Sequence, residues 1–419
     1  MQEILQNKFI FNDLNFIFVS LGIFVTFINS IIARKNVHKK KFIYYLVILL
    51  FIMSFIIVVT TKSWFFLMVG WELVTISTTL LLFWDESETA KKYFIIQFIG
   101  GSFLLLVVIA AYANGYSEIT FIKEKWLQNI FILAVGIKSA IFGFHFWIPI
   151  IYQKASFTFA AISSGLVVNL GYILLLKIIS EKNELLFFLG IISVFYGAFK
   201  ASREDDYKLI LAFSTISQMG FVALGISSGN IYGFYGAVFY IISHSLAKTV
   251  LFNNAIFMFE EKNTINITEY NKKIDFYYIL ILIIASLSLV GFPLFLGYNS
   301  KYLIKYAVTN NPIMIILVHL ASTMTAFYLF RILFSLTFNN KNFHFKKISS
   351  LFEIKNKAFF EKLFLIFPLV ILIILAFLVN EILDTEFEFS YIYGFVYAFI
   401  YILIVLRLYL IKIIKFYDK

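Results

Sequence analysis

The sequence predicts an all-α, polytopic membrane protein of about thirteen transmembrane helices. Hydrophobic residues make up 61% of its 419 residues and charged residues 14%, against roughly a quarter charged in a soluble domain. The apolar residues gather in runs of about 20, the length that crosses a bilayer as helix. Lys and Arg fall mainly in alternate loops, as an insertion bias requires.

The spans are read in order at 14–33, 42–60, 64–84, 93–112, 128–148, 156–179, 184–200, 208–228, 231–259, 276–298, 312–333, 363–380 and 391–412. The loop after each odd-numbered span is the more basic one. RKNVHKKK at 34–41 and the 334–362 segment are the clearest cases, while NEILDTEFEF at 380–389 is acidic. This alternation places the N-terminus outside and the C-terminus in the cytoplasm. Trp64, Trp84 and Trp126 stand near span ends, where indoles anchor at the interface. Three regions follow: N-terminal helices at 1–63, a core at 64–335, and a cytoplasmic loop with C-terminal helices at 336–419. No sequence repeat is evident, although inverted repeats of transporters often escape detection at this level.

Composition also excludes chemistry. With no cysteine, disulfides, iron–sulfur clusters and Cys-ligated zinc are ruled out within this chain. There is no Gly-rich dinucleotide fingerprint and no pair of histidines placed for haem. The expectation is therefore no cofactor, no metal and no redox chemistry in this chain. The opening MQEILQNKFIFNDLN lacks a basic region and a small-residue cleavage site, so no cleaved signal is expected. The net charge of +11 belongs to the loops of a membrane protein and does not call for nucleic acid.

Six titratable residues lie inside or at the edge of apolar spans. Glu72 is near the middle of 64–84 and Lys138 is within ILAVGIKSAIFGFHFW. His244 and Lys248 in FYIISHSLAKTVLF are four apart and share a helix face. Lys208 opens 208–228, and Lys301 follows GFPLFLGYNS. A charge at the bilayer centre costs at least ~2.5–3.5 kcal/mol. One such residue can simply staple helices, but a set of six must face the bundle interior. An amine held between desolvation, which disfavours its charge, and a carboxylate, which favours it, loads and unloads a proton as its partner moves. Of the histidines, His38 and His344 sit in basic loops, and His145 and His319 read as structural. HFWIPIIYQKASFTF (145–159) and LVGFPLFLGYNSKYL (289–303) interrupt apolar runs with Pro, Gly and polar residues. Broken helices in two halves of a chain point to ion sites, because irregular backbone at depth lies only within protein or beside water.

These segments resemble the antiporter-like subunits of respiratory complex I, Mrp-type cation/proton antiporters and membrane-bound hydrogenases. WEL at 71–73 resembles the glutamate helix of that family, and GIKSAIFGFHFWIP its lysine segment. REDDYKLILAFSTISQMGFVALGI, HSLAKTVLF and GFPLFLGYNSK resemble three further motifs, in order, between residues 64 and 335. The resemblance implies that Glu72 and Lys138 form a movable charge pair. It also implies that Lys208, His244 and Lys248 form the central relay and that Lys301 is the exit-side lysine. The chain departs from the pattern at Asn169, where several relatives hold a lysine, at Ser163 for a histidine, at Ile150 for an aspartate and at Gly143 for a proline. Glu72 also arrives about two helices early. Without a proton carrier at 169, the path runs through water and the His244/Lys248 helix, and Asn169→Lys is expected to be tolerated.

Three functions compete. One is a proton-translocating subunit of a larger membrane complex, a translocase of NADH:quinone oxidoreductase or related type, in a bacterial or organellar inner membrane. Another is the energy-coupling subunit of an inorganic-carbon pump with a soluble partner. The third is a non-conducting scaffold.

Overall fold

The computed structural model describes residues 8–35, 41–259, 265–270, 274–308, 312–337 and 358–382. The expected span 391–412 and the loops at 338–357 and 383–390 lie outside them. The described residues form fifteen α-helices and no strand. These are α1 (Lys8–Ile32), α2 (Lys41–Thr60), α3 (Trp64–Phe83), α4 (Ser87–Ala113), α5 (Lys125–Ser139), α6 (Trp147–Lys154), α7 (Phe157–Ile162), α8 (Val168–Ile178), α9 (Glu184–Arg203), α10 (Tyr207–Ser227), α11 (Ile231–Phe259), α12 (Phe276–Val290), α13 (Leu296–Val308), α14 (Pro312–Thr337) and α15 (Ala358–Ile382). Among the described residues, nine helical segments are long and apolar enough to cross a membrane.

Burial separates an inner set from an outer one. The segment 157–178 is buried along all of its most apolar window, α10 along 94% of it and α11 along 89%, against 39–56% for the rest. The inner helices carry Asn169, Lys208, His244 and Lys248, as the cost of a lipid-facing charge demands. α11 is the hub. It packs on α1, α7, α10, α12, α13 and α15, so helices from both flanks touch the core directly. α9 meets α10 through small residues: a Cβ on Gly220 would stand 2.7 Å from the Gly190 carbonyl. Such close backbone approach is how helices associate where no hydrophobic force separates them from lipid.

Three expected spans are broken. The fifth stops at Ser139, well before residue 148. Ala140 takes a left-handed φ of 52°, Ile141 N–H donates to Gly136 O at 3.0 Å and Ala140 N–H to Ile137 O at 3.3 Å. This pair of reverse bonds ends a helix. The break thus covers 140–146, with a second turn at Ala155–Ser156, rather than centring on Pro149. The tenth span ends the same way. Gly291 has a φ of 85°, Phe292 N–H donates to Leu287 O at 2.9 Å and Gly291 N–H to Ser288 O at 3.2 Å. The sixth span holds a π-helical turn at Ser163–Val167 between α7 and α8.

The loops collect at two ends, in the alternation the sequence implies. At one end Ile119 N–H donates to Lys62 O (2.7 Å), Ile122 N–H to Ile178 O (3.0 Å) and Asn183 N–H to Ser227 O (3.0 Å). At the other, Ser156 N–H donates to Asp85 (2.8 Å), and Tyr207 N–H to Ile265 O (2.9 Å). There Arg331 donates to Ser202 O and Glu204 O and pairs with Asp205. Trp64 is not an interface anchor. It is buried, with its indole N–H on Tyr116 O at 2.9 Å, whereas Trp126 is half exposed.

Candidate functional site

Each candidate lysine is placed by a helix terminus or an inner helix. Lys138 occupies the last turn of α5, just before the break. It is 1% exposed, its Nζ donates to Thr75 Oγ1 at 2.8 Å, and it lies 4.8 Å from the centre of the Trp71 ring. Glu72 is on the same helix, one turn from Thr75 and partly exposed. Its carboxylate lies where a side chain on Gly101 of α4 would be. Glu72 and Lys138 are near enough for their charges to act on each other, yet they are not in contact as an ion pair. The two side chains that the resemblance pairs thus approach through Thr75 and Gly101, without a direct contact.

Lys208 lies away from the centre. It is in the first turn of α10, its Nζ donates to Ala155 O at 2.6 Å and stands 4.7 Å from the centre of the Phe157 ring. The Ala155–Ser156 turn also binds Asp85, so Lys208 belongs to the end of the bundle that holds Asp85 and Arg331. On the same helix, Leu211 lies one turn further along and accepts from Lys248.

Lys248 is fully buried on α11. Its Nζ donates to Leu211 O at 2.8 Å and to Ser214 Oγ at 2.5 Å, both on α10. His244, one turn away on α11, is fully buried, and neither ring nitrogen has a hydrogen-bond partner among the described residues. Lys301 reaches back from α13 to the last carbonyls of α12, with Nζ 2.7 Å from Leu289 O and 3.4 Å from Val290 O. Lone carbonyls at a helix C-terminus favour such a cation. Among the described residues, none of these four lysines is in an ion pair with a carboxylate. Their partners are carbonyls and hydroxyls.

Neutral polar residues join the lysines, and of these sequence reasoning singled out only Asn169 and Ser163. Tyr240, His244 and Lys248 recur every four residues along α11 and form one stripe. Tyr240 donates its hydroxyl to Gln218 Oε1 and lies 3.4 Å from Leu289 O, the carbonyl that holds Lys301. Gln218, one turn beyond Ser214 on α10, donates to Tyr328 Oη at 2.7 Å and to Thr325 Oγ1 at 3.1 Å. Between Lys138 and Lys248, Ser139 abuts Gly171 of α8. Asn169 donates to Gly165 O at 2.7 Å and to Ser245 Oγ at 2.8 Å. Ser163 accepts from Tyr152 (3.1 Å), and Ser164 meets Thr215 (2.9 Å). Of the four positions that depart from the resembled pattern, Ser163 opens the π turn and Asn169 lies two residues beyond its end, and such turns are frequent at functional sites. Beyond Lys301, Lys305 Nζ lies 3.5 Å from His319 Nδ1. A further buried cation, Lys177, donates to Asn15 Oδ1 (2.8 Å) and to Val59 O, and ties α1 and α2 to α8.

This arrangement has the shape of known membrane subunits. The Thermus thermophilus respiratory complex I contains a chain that matches with a TM-score of 0.72 at 21% identity, covering 86% of this chain and 83% of that one. A chain of the Mrp complex from Dietzia sp. matches with the same TM-score and identity, covering 86% of this chain and 42% of that one. NAD(P)H-quinone oxidoreductase chain 4 1 of Synechococcus elongatus is 27% identical over 267 residues, 58% of this chain and 49% of that protein. The chain therefore spans about half the length of this curated relative. The family model for the transmembrane region of NADH:quinone oxidoreductase and Mrp antiporter subunits matches residues 61–327, which hold all six titratable residues and all three broken spans, and the chain belongs to that family.

Proposed function

We propose that the chain is a proton-translocating, antiporter-like subunit that works with other membrane subunits and draws its driving energy from them. The observation that carries this reading is the state of the buried amines. Lys138, Lys248 and Lys301 follow one another across the bundle, each bound to neutral acceptors rather than to a carboxylate. An amine so placed takes up a proton without first breaking a buried ion pair, and passes it to a neighbour along hydroxyls, amides and water. Next to Lys138, Ser139 abuts Gly171 of α8, and Asn169 of that helix donates to Ser245 of the His244/Lys248 helix, so water completes the path between Ser139 and Asn169. Gln218 and Tyr240 bridge that helix to Lys301. Lys208 serves the end that holds Asp85. The partly exposed Glu72 sets the charge that Lys138 feels.

The test is proton flux in vesicles that hold the complete complex. Glu72→Gln and Lys138→Ala are expected to abolish coupled flux with the complex still assembled. Normal flux in both overturns the proposal. Purification of the native complex and identification of its subunits names the energy source.

A further inference from the structure

We propose that Gln97 is a positioning residue of the Glu72–Lys138 site, its amide joining the carboxylate of one to the ammonium of the other. Gln97 lies mid-way along α4 and is 1% exposed. Among the described residues, neither its Nε2 nor its Oε1 has a hydrogen-bond partner. An amide buried in this way is costly and calls for a role.

The register of α3 against α4 says what it faces. Tyr93 Oη meets Thr78 Oγ1 at 3.1 Å, and two turns further along α4, Gly101 backs onto the Glu72 carboxylate. α3 and α4 run antiparallel, so Gln97 stands midway between Tyr93 and Gly101 while Thr75 stands midway between Thr78 and Glu72. Gln97 and Thr75 are therefore at one level, and Thr75 Oγ1 is the atom that accepts from Lys138 Nζ. On the side toward α5, a Cβ on Gly100 would stand 3.0 Å from Ile137 Cγ2, beside Lys138. Tyr93, Gln97, Gly100 and Gly101 form one buried stripe, which turns the amide into the space between Glu72, Thr75 and the last turn of α5.

An amide is the neutral side chain that donates and accepts at once. These bonds are unmade in the arrangement described; when the pair closes on the amide, Nε2 donates to the Glu72 carboxylate and Oε1 accepts from the Lys138 ammonium. The two charges are then held apart at a fixed spacing, and the amide decides how readily Lys138 leaves Thr75 for Glu72. This rests on the reading that the pair carries the proton step. The titratable groups on elements packed around Lys138 are Glu72 of α3, Tyr93 of α4, Tyr172 of α8 and His145 in the break.

Gln97→Met keeps the length and removes both polar atoms, and Gln97→Asn keeps the amide and shortens its reach. Both are compared with wild type and Lys138→Ala, in vesicles bearing the full chain with its native partners. Protein level, rate of proton uptake and the midpoint of its pH profile are read together. In Gln97→Met the protein level is expected to hold while uptake falls about tenfold, the loss of roughly one charge-assisted hydrogen bond. Its pH midpoint is expected to move by about one unit, because the pair loses its fixed spacing. Gln97→Asn is expected to fall between the two. Wild-type rate and midpoint in Gln97→Met, with Lys138→Ala inactive, overturn the role of Gln97 and leave the proposed function standing. Wild-type behaviour in all variants overturns both. A Gln97→Met protein that is merely scarcer, with unchanged rate and midpoint per molecule, makes the residue structural and also overturns the inference.

Discussion

Asn169 gives only donor bonds. Its Nδ2 reaches Gly165 O at 2.7 Å and Ser245 Oγ at 2.8 Å, and its Oδ1 has no partner among the described residues. Gly165 O belongs to the π turn and also accepts from Ser245 Oγ at 2.5 Å, so it keeps a partner when Asn169 is changed.

The Asn169 geometry sets up a series of three substitutions. A lysine supplies donors only, so Asn169→Lys can serve both acceptors. Its extra length at a site 1% exposed costs about 1–3 kcal/mol of packing. Folded protein is expected at a reduced level, with flux per molecule equal to wild type or higher. Asn169→Asp sets a carboxylate against a carbonyl and is expected to lose about 3 kcal/mol or more. Asn169→Leu removes the donors and lands between. Thermal denaturation in detergent ranks the three, and an aspartate more stable than the lysine contradicts the donor argument.

Gly101 offers a way to move Glu72 without changing its charge. On helix propensity alone, Gly101→Ala is favourable by about 1 kcal/mol. Yet the added Cβ would occupy the position of the Glu72 carboxylate, which must swing aside. The variant is expected to assemble normally and to lose flux by about tenfold or more, since 1.4 kcal/mol of misplacement is already a factor of ten. An assembled Gly101→Ala complex with unaltered flux shows that the position of Glu72 against α4 is immaterial.

How much of this was legible depends on what each feature costs in sequence. A span needs about 20 apolar residues, and such runs mark themselves. The stripe through His244 and Lys248 shows because charges in an apolar run stand out and helical spacing puts them on one face. The break after Lys138 was mislocated because its left-handed residue is Ala140, where no Gly or Pro signals a turn. The π turn is silent, since SSGLV reads as ordinary helix. Gln97, Gln218 and Tyr240 were passed over because a neutral polar residue in an apolar run raises no alarm. Their roles come from partners far along the chain, such as Thr325 and Tyr328 for Gln218. Lys208 was legible as the opening of a span, and the helix does start at Tyr207, but its partner Ala155 O lies 53 residues away in sequence.

Tyr240 joins Gln218 to the carbonyl that holds Lys301. Tyr240→Phe removes the donor to Gln218 Oε1 and the hydroxyl near Leu289 O. A buried acceptor left without its donor costs about 1–3 kcal/mol, so stability is expected to fall by that amount. Flux is expected to fall more than stability accounts for, and Lys248→Ala to fall further than His244→Ala. Lys248 binds two α10 groups, whereas His244 binds none among the described residues. Proton uptake per assembled complex measures the ranking, and full uptake in Lys248→Ala breaks the central part of the path.

The orientation of the bundle follows from charge at its two ends. Lys62, Glu118, Lys123, Lys125 and Lys182 lie at the end where Ile119 meets Lys62 and Asn183 meets Ser227. Arg34, Lys91, Lys92, Lys154, Lys200 and Arg203 lie at the other, with Asp85 and Ser156. Acidic residues occur at both ends and carry little weight, because orientation follows Lys and Arg near the span ends rather than net charge. The second end is the more basic and is expected in the cytoplasm. The native chain has no cysteine, so single cysteines report without background. Glu118 and Lys154 are both exposed and lie at opposite ends, so Glu118→Cys and Lys154→Cys are the informative pair. In intact cells, a membrane-impermeant maleimide is expected to label Glu118→Cys. It is expected to reach Lys154→Cys only after the membrane is opened. Labelling in the reverse order inverts the orientation. Labelling of both from the same side contradicts the two-ended arrangement of the loops.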